Sequence, residues 1–164
     1  MKMIDYINDF TSHLTEAMEI GESSKFNNTD RSFSNILICG LGGSGIGGTI
    51  LNDIVSGETH IPILSSKDYS IPNFVNENTL VVASSYSGNT EETIYALQKC
   101  LDKNAEVCII TSGGKLKDIA VENKYNHIII PGGHPPRAMF GYAFVQLFYV
   151  LHQYNIINLS LIHI

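Results

Sequence analysis

The chain has 164 residues, 44% of them hydrophobic and 16% charged, with a formal net charge of −6 at pH 7. Those values describe one globular domain large enough for a proper core, and they exclude a disordered chain. The negative balance argues against binding to nucleic acid or a membrane surface, so an anionic ligand has to be held locally, by amides, hydroxyls and a few placed cations.

The opening MKMIDYINDF carries acids within its first ten residues. That pattern is not a secretory leader, and no apolar run reaches membrane-spanning length, which points to a cytoplasmic protein. From Ile4 to Ile20 the apolar residues Ile4, Ile7, Phe10, Leu14 and Met18 recur at three- and four-residue steps. The spacing predicts one amphipathic helix, ended by Gly21 and the polar stretch ESSKFNNTDRS. Short apolar runs then follow at Asn35–Cys39, Ile61–Leu64, Leu80–Ala83, Val107–Ile110 and His127–Ile130. Helical periodicity lies between most of them, at Ile46–Val55, Thr90–Leu101 and Leu116–Glu122, and again in the strongly apolar Ala138–His152. Ser65–Asn78 is too broken for a helix. This alternation predicts an α/β fold: a three-layer, doubly wound, flavodoxin-like domain around a five-stranded parallel sheet. Cys39, Cys100 and Cys108 each fall inside an apolar element and read as small buried hydrophobes. The last stretch, NIINLSLIHI, is apolar and has no following element to pack on, as if something longer were interrupted.

In such sheets ligands bind beyond the carboxyl ends of the strands, where strand order reverses. With the order 2-1-3-4-5, the loops after the first and third strands face one crevice. The first of these is GLGGSGIGG, residues 40–48, and the second is SSYSGNT, residues 84–90. Ser44, Ser85, Ser87 and Thr90 offer uncharged donors, and Gly42, Gly43, Gly45 and Gly88 let amides approach an anion. Both loops lead into predicted helix N-termini, where the backbone dipoles favour negative charge. A phosphate monoester suits such a place. A dinucleotide site would need an acid about 20 positions after the glycines. Leu64, Ser65 and Ser66 stand there, with Asp68 only further on. A P-loop is excluded because Gly114-Lys115 is followed by Leu116.

The remaining candidates divide. Asn89-x-x-Glu92 fits a capping box better than a catalytic base. Lys115 and Lys117 read as solvated, and His134, in a proline-rich loop, reads as exposed. Arg137 differs, because Pro135-Pro136 stiffen its approach and an apolar helix follows. A cation at that end of the sheet suits a phosphate or a developing oxyanion.

Taken together, GLGGSGIGG, SYSGNTEET and PGGHPPRAMFGY, in this order, resemble the first sugar isomerase (SIS) domain of the bifunctional phosphoglucose/phosphomannose isomerases. The resemblance runs from the opening helix to about residue 157. It implies an N-terminal helix and linker over 1–34, a SIS domain over 35–157 and an atypical tail over 158–164. It further implies an aldose–ketose isomerase converting glucose 6-phosphate or mannose 6-phosphate to fructose 6-phosphate through a cis-enediol. Gly43, Ser44, Ser85, Ser87 and Thr90 would bind the substrate phosphate, and Arg137 would be the catalytic cation that stabilises the enediolate. No metal or organic cofactor is called for, since a carboxylate can carry the proton between C1 and C2. In that family a second SIS domain supplies a glutamate base and further histidine and lysine residues, and the full-length form is a homodimer. No motif of that second domain is present here. The expectation is therefore a truncated or stand-alone domain that binds a phosphorylated hexose weakly and isomerises it poorly or not at all. Two other readings compete: a non-catalytic SIS module that senses phosphorylated sugars, and an amidotransferase-type isomerase domain. The absence of a helix-turn-helix segment counts against the first, and Pro135-Pro136-Arg137 counts against the second.

Overall fold

The computed structural model describes residues 2–161. Two N-terminal helices, α1 (Met3–Asn8) and α2 (Phe10–Ser23), precede the sheet. Strand β1 (Asn35–Cys39) leads into α3 (Gly43–Val55), and β2 (Ile63–Ser66) is joined to β3 (Thr79–Ser85) without a helix. Then come α4 (Glu91–Leu101), β4 (Glu106–Thr111), α5 (Gly114–Asn123), β5 (Asn126–Ile129), a 3-10 turn (Pro136–Met139) and α6 (Phe140–Gln153). The sheet is five-stranded and parallel, in the order β2-β1-β3-β4-β5. This is the α/β architecture the alternation predicts, with the strand order that brings the two serine loops together.

Side chains alternate across each strand with period two, so the sheet builds a core on both faces. Ile36, Ile38, Leu80, Val82, Cys108 and Ile110 face α2, α3 and α6, while Leu37, Cys39, Val81, Ala83, Val107 and Ile109 face α4 and α5. All three cysteines are free and buried, as expected of small hydrophobes.

Four expectations need correction. The single N-terminal helix is kinked at Asp9, which closes α1 and opens α2. Gly21 does not end the helix: α2 continues to Ser23, and a Cβ at Gly21 would lie 2.2 Å from the Tyr149 ring. That glycine is what lets α2 close onto α6. The second strand begins two residues later than its apolar run, at Ile63. Pro62 has no amide to give to the ladder, although its carbonyl accepts from the Ile36 amide at 2.9 Å. As an edge strand β2 tolerates the polar Ser65 and Ser66 and leaves Leu64 exposed. The tail is also better packed than its sequence suggests. Ile157 is buried in the core beside α6, and Ile156 and Leu159 pack against the same core; residues 162–164 lie outside the described residues. Among the described residues, no helix is long and apolar enough to cross a membrane.

Candidate active site

The chain leaves β1 at Cys39 and enters α3 at Gly43, so three residues make the whole turn. Gly42 takes φ 59° and ψ −123°, a conformation that L side chains rarely adopt, and a Cβ there would meet nothing within 4 Å. Conformation rather than space therefore demands glycine at this position. No side chain caps α3, and its first turn carries no acid, so the amide end of the helix stays unclaimed. Gly45 belongs to a different group from Gly42 and Gly43. A Cβ at Gly45 would sit 2.5 Å from the Gly40 carbonyl oxygen, and one at Gly48 would sit 2.5 Å from Ser65 Oγ. Those two glycines press α3 onto the strands, whereas Gly43 lines the crevice and Gly42 has open space where a Cβ would stand.

The second loop, Tyr86–Thr90, is tied to itself and to its neighbour. Ser85, at the buried end of β3, has its Oγ 2.7 Å from Thr90 Oγ1 and accepts the Gly88 amide at 3.2 Å. Either hydroxyl can donate to the other, which leaves one proton of the pair for a ligand. Ser87 is exposed, and its Oγ accepts the Asn89 amide at 3.2 Å. Gly88 has φ 69°, and a Cβ on it would fall 1.7 Å from the Gly113 carbonyl oxygen. The reason for that crowding is the β4–α5 loop. The Ser112 amide and Oγ both donate to the Tyr86 carbonyl, at 3.0 and 2.6 Å, and the Leu116 amide donates to the Gly88 carbonyl at 3.0 Å. TSGGK thus supports the serine loop from behind. The capping box is not formed. Thr90 is the N-cap of α4 without a side-chain cap bond, and Asn89 Oδ1 instead accepts the Lys115 amide at 3.0 Å. Lys115 and Lys117 are exposed, as anticipated.

Arg137 arrives from the other side, on the 3-10 turn that follows β5, and is exposed. Among the described residues the only ion pair is Arg31 with Glu106, so no carboxylate competes for the Arg137 guanidinium. Gly43, Ser44, Ser85, Ser87, Thr90 and Arg137 all line one cavity of about 190 Å³, closed by the apolar Leu41, Met139, Phe140 and Ala143 and by Tyr86. The arrangement brings uncharged donors and helix amides from the loops after β1 and β3 to the same cavity as a single cation from the segment after β5.

A family model, the SIS domain, matches residues 34–156. The chain belongs to the SIS domain family. Among curated proteins this SIS domain is 41% identical over 145 residues to a bifunctional phosphoglucose/phosphomannose isomerase of Caldicellulosiruptor bescii, covering 88% of this chain and 43% of that protein. It is 36% identical over 124 residues to a D-glucosamine-6-phosphate 4-epimerase of Sulfolobus acidocaldarius, covering 75% of this chain and 39% of that protein. The chain therefore spans less than half the length of these relatives. Its fold superposes on a crystal structure from Clostridium difficile 630 with a TM-score of 0.76 at 20% identity, over 94% of this chain and 46% of the other.

Two residues gain a place at the site that the sequence does not assign them: Tyr86, and His134, which reads as exposed in the sequence. In the fold, Tyr86 forms part of the cavity wall between the two serines and its hydroxyl accepts the His134 amide at 3.1 Å. His134 is half-buried, with Nδ1 3.0 Å from the Tyr6 hydroxyl. A tyrosine between two predicted ligand serines was the available signal for Tyr86. Nothing local marks Tyr6, which is 128 residues from its partner.

Proposed function

We propose that this SIS domain forms the phosphate-binding part and the oxyanion-stabilising part of a sugar-phosphate isomerase site. Its substrates would be glucose 6-phosphate or mannose 6-phosphate, converted to fructose 6-phosphate through a cis-enediol. The observation that carries the reading is the convergence of five small phosphate-ligand candidates and one arginine on a single cavity. The names of the relatives share a phosphorylated hexose, although one acts as an isomerase and the other as a 4-epimerase.

The phosphate sits best at the amide end of α3. That end is uncapped and free of acids, whereas the first turn of α4 already holds Glu91 and Glu92, which use up part of its dipole. Ser44, Ser87 and the Ser85–Thr90 pair then donate to the phosphate oxygens. Arg137, which reaches the same cavity from the 3-10 turn after β5, is assigned to C1 and C2, where negative charge appears on oxygen as a proton leaves C2 of the aldose. The base that took the C2 proton then protonates C1, and the O2 hydroxyl proton passes to O1, giving the ketose; while the enediol lasts the base trades its proton with solvent. Among the described residues, the cavity wall carries neither a carboxylate nor an imidazole. We assign the proton transfer to a base outside this wall, supplied by a second SIS domain as the family resemblance implies.

Two measurements test this reading. Fructose 6-phosphate should bind the chain in a calorimeter, and loss of the C2 hydrogen of glucose 6-phosphate to solvent should require a polypeptide that also carries a second SIS domain. A chain that binds no sugar phosphate overturns the proposal. Exchange by the chain alone overturns the external base. Binding without exchange in either polypeptide makes this a sensing module, the reading that a wall without a base also supports.

A further inference from the structure

Arg137 is carried by a stretch that cannot hold itself in place. Pro131, Pro135 and Pro136 have no amide, Gly132 and Gly133 are exposed, and Gly133 takes φ 84° with open space around its Cβ position. The segment nevertheless meets the cavity at a defined place. One amide of this stretch, that of His134, donates to the Tyr86 hydroxyl at 3.1 Å. The imidazole of the same residue is gripped from the other side, with Nδ1 3.0 Å from the Tyr6 hydroxyl and the two rings edge-on at 5.7 Å.

Both ends of this connection are anchored. Tyr86 lies between Ser85 and Ser87, with its carbonyl held by the Ser112 amide and hydroxyl. Tyr6 is 7% exposed and its ring lies 6.1 Å from that of His13, on the helix that packs against α6. His134 does not line the cavity, and its Nδ1 is engaged, so the geometry suits holding rather than proton transfer.

We propose that Tyr6, His134 and Tyr86 form a polar strut that sets the distance between Arg137 and the serine wall. All three are positioning residues, and α1 thereby becomes a working part of the site. The inference rests on the reading above, in which Arg137 meets the sugar, but its geometry can be tested without a ligand. In Tyr86→Phe the ligand-free chain loses the acceptor for the His134 amide, and that amide should exchange with deuterium about tenfold faster. Tyr6→Phe should also speed exchange across 131–139, while amides of β3 and β4 keep their rates.

Tyr6 does not line the cavity, so its effect on ligand separates positioning from contact. Tyr6→Phe should weaken fructose 6-phosphate binding about threefold or more and add nothing further in an Arg137→Gln background. His134→Asn, whose side-chain amide lies near the place of Nδ1, should retain more affinity than His134→Ala. Unchanged exchange at His134 in Tyr86→Phe overturns the strut, as does full additivity of Tyr6→Phe with Arg137→Gln. If the unmodified chain binds no fructose 6-phosphate, the functional reading falls, and the exchange data alone decide on the strut.

Discussion

The two walls of the cavity are held by different kinds of force. The serine wall grows directly out of β1 and β3, which have sheet neighbours on both sides, and backbone bonds to the β4–α5 loop fasten it at Tyr86 and Gly88. The arginine wall follows the edge strand β5 and is fastened by side chains, Tyr6, Tyr86 and further along Tyr142, whose hydroxyl donates to Glu16 at 2.5 Å. Backbone-held loops are stiff and tolerate few substitutions. Side-chain-held loops can be loosened one hydroxyl at a time with the core intact. On the proposed reading, in which the site grips a phosphate and admits a hexose, one wall of each kind serves both needs.

The comparison is broken most severely at Gly88. Gly88→Ala combines a left-handed φ with a Cβ driven into the Gly113 carbonyl, and should cost about 3 kcal/mol or more of stability in urea denaturation. A cost below 1 kcal/mol would mean that the serine loop is not rigid. Arg137→Gln should show the opposite profile. The side chain is exposed and unpaired among the described residues, so stability should stay within about 0.5 kcal/mol. Fructose 6-phosphate affinity should fall about tenfold or more, the usual loss for a charge-assisted hydrogen bond. A stability loss with unchanged affinity would place the arginine in the scaffold.

The double variant Ser87→Ala with Thr90→Ala sharpens the serine side. Affinity for the sugar phosphate should fall about threefold to tenfold, measured by calorimetry, because Ser85 keeps its own hydroxyl and the α3 amides remain. Unchanged affinity would remove this loop from the phosphate site.

The smallest effect concerns pH. Burial, and after it the hydrogen bond to Glu16, raise the Tyr142 hydroxyl above the ordinary tyrosine range. The folded chain then keeps this proton at pH values where the unfolded chain has released it. Stability is therefore full below the ordinary tyrosine value of about 10 and declines as pH rises through it. Denaturation midpoints should drop above that pH. Tyr142→Phe should make the slope shallower without abolishing it, because Tyr149, Tyr154 and Cys108 are also raised by burial.

Much of this was legible locally. Alternation of apolar runs with helical periodicity marked five strands and their helices, because burial on both faces of a parallel sheet writes itself into consecutive residues. The glycines and hydroxyls of residues 40–48 and 84–90 were legible because a short strand-to-helix turn permits few residue types. Arg137 was visible through the prolines before it. Element ends were less so: the strand at Ile61–Leu64 became Ile63–Ser66 because an edge position relaxes the demand for apolar residues.

Which glycines face a ligand was not legible at all. Gly43 and Gly45 look alike in the chain, yet one lines the cavity and a Cβ on the other would meet a carbonyl at 2.5 Å. The same limit hid the functions of Gly21, Tyr86 and Tyr6, each defined by a residue far away in sequence. The sequence by itself determined the five-stranded parallel sheet and the residue types offered at its strand ends, since these follow from periodicity and from backbone freedom at single positions, while the strand order came from the tertiary structure. The tertiary structure alone decided how close the arginine wall stands to the serine wall. That distance is a sum of long-range contacts, and no local pattern encodes it.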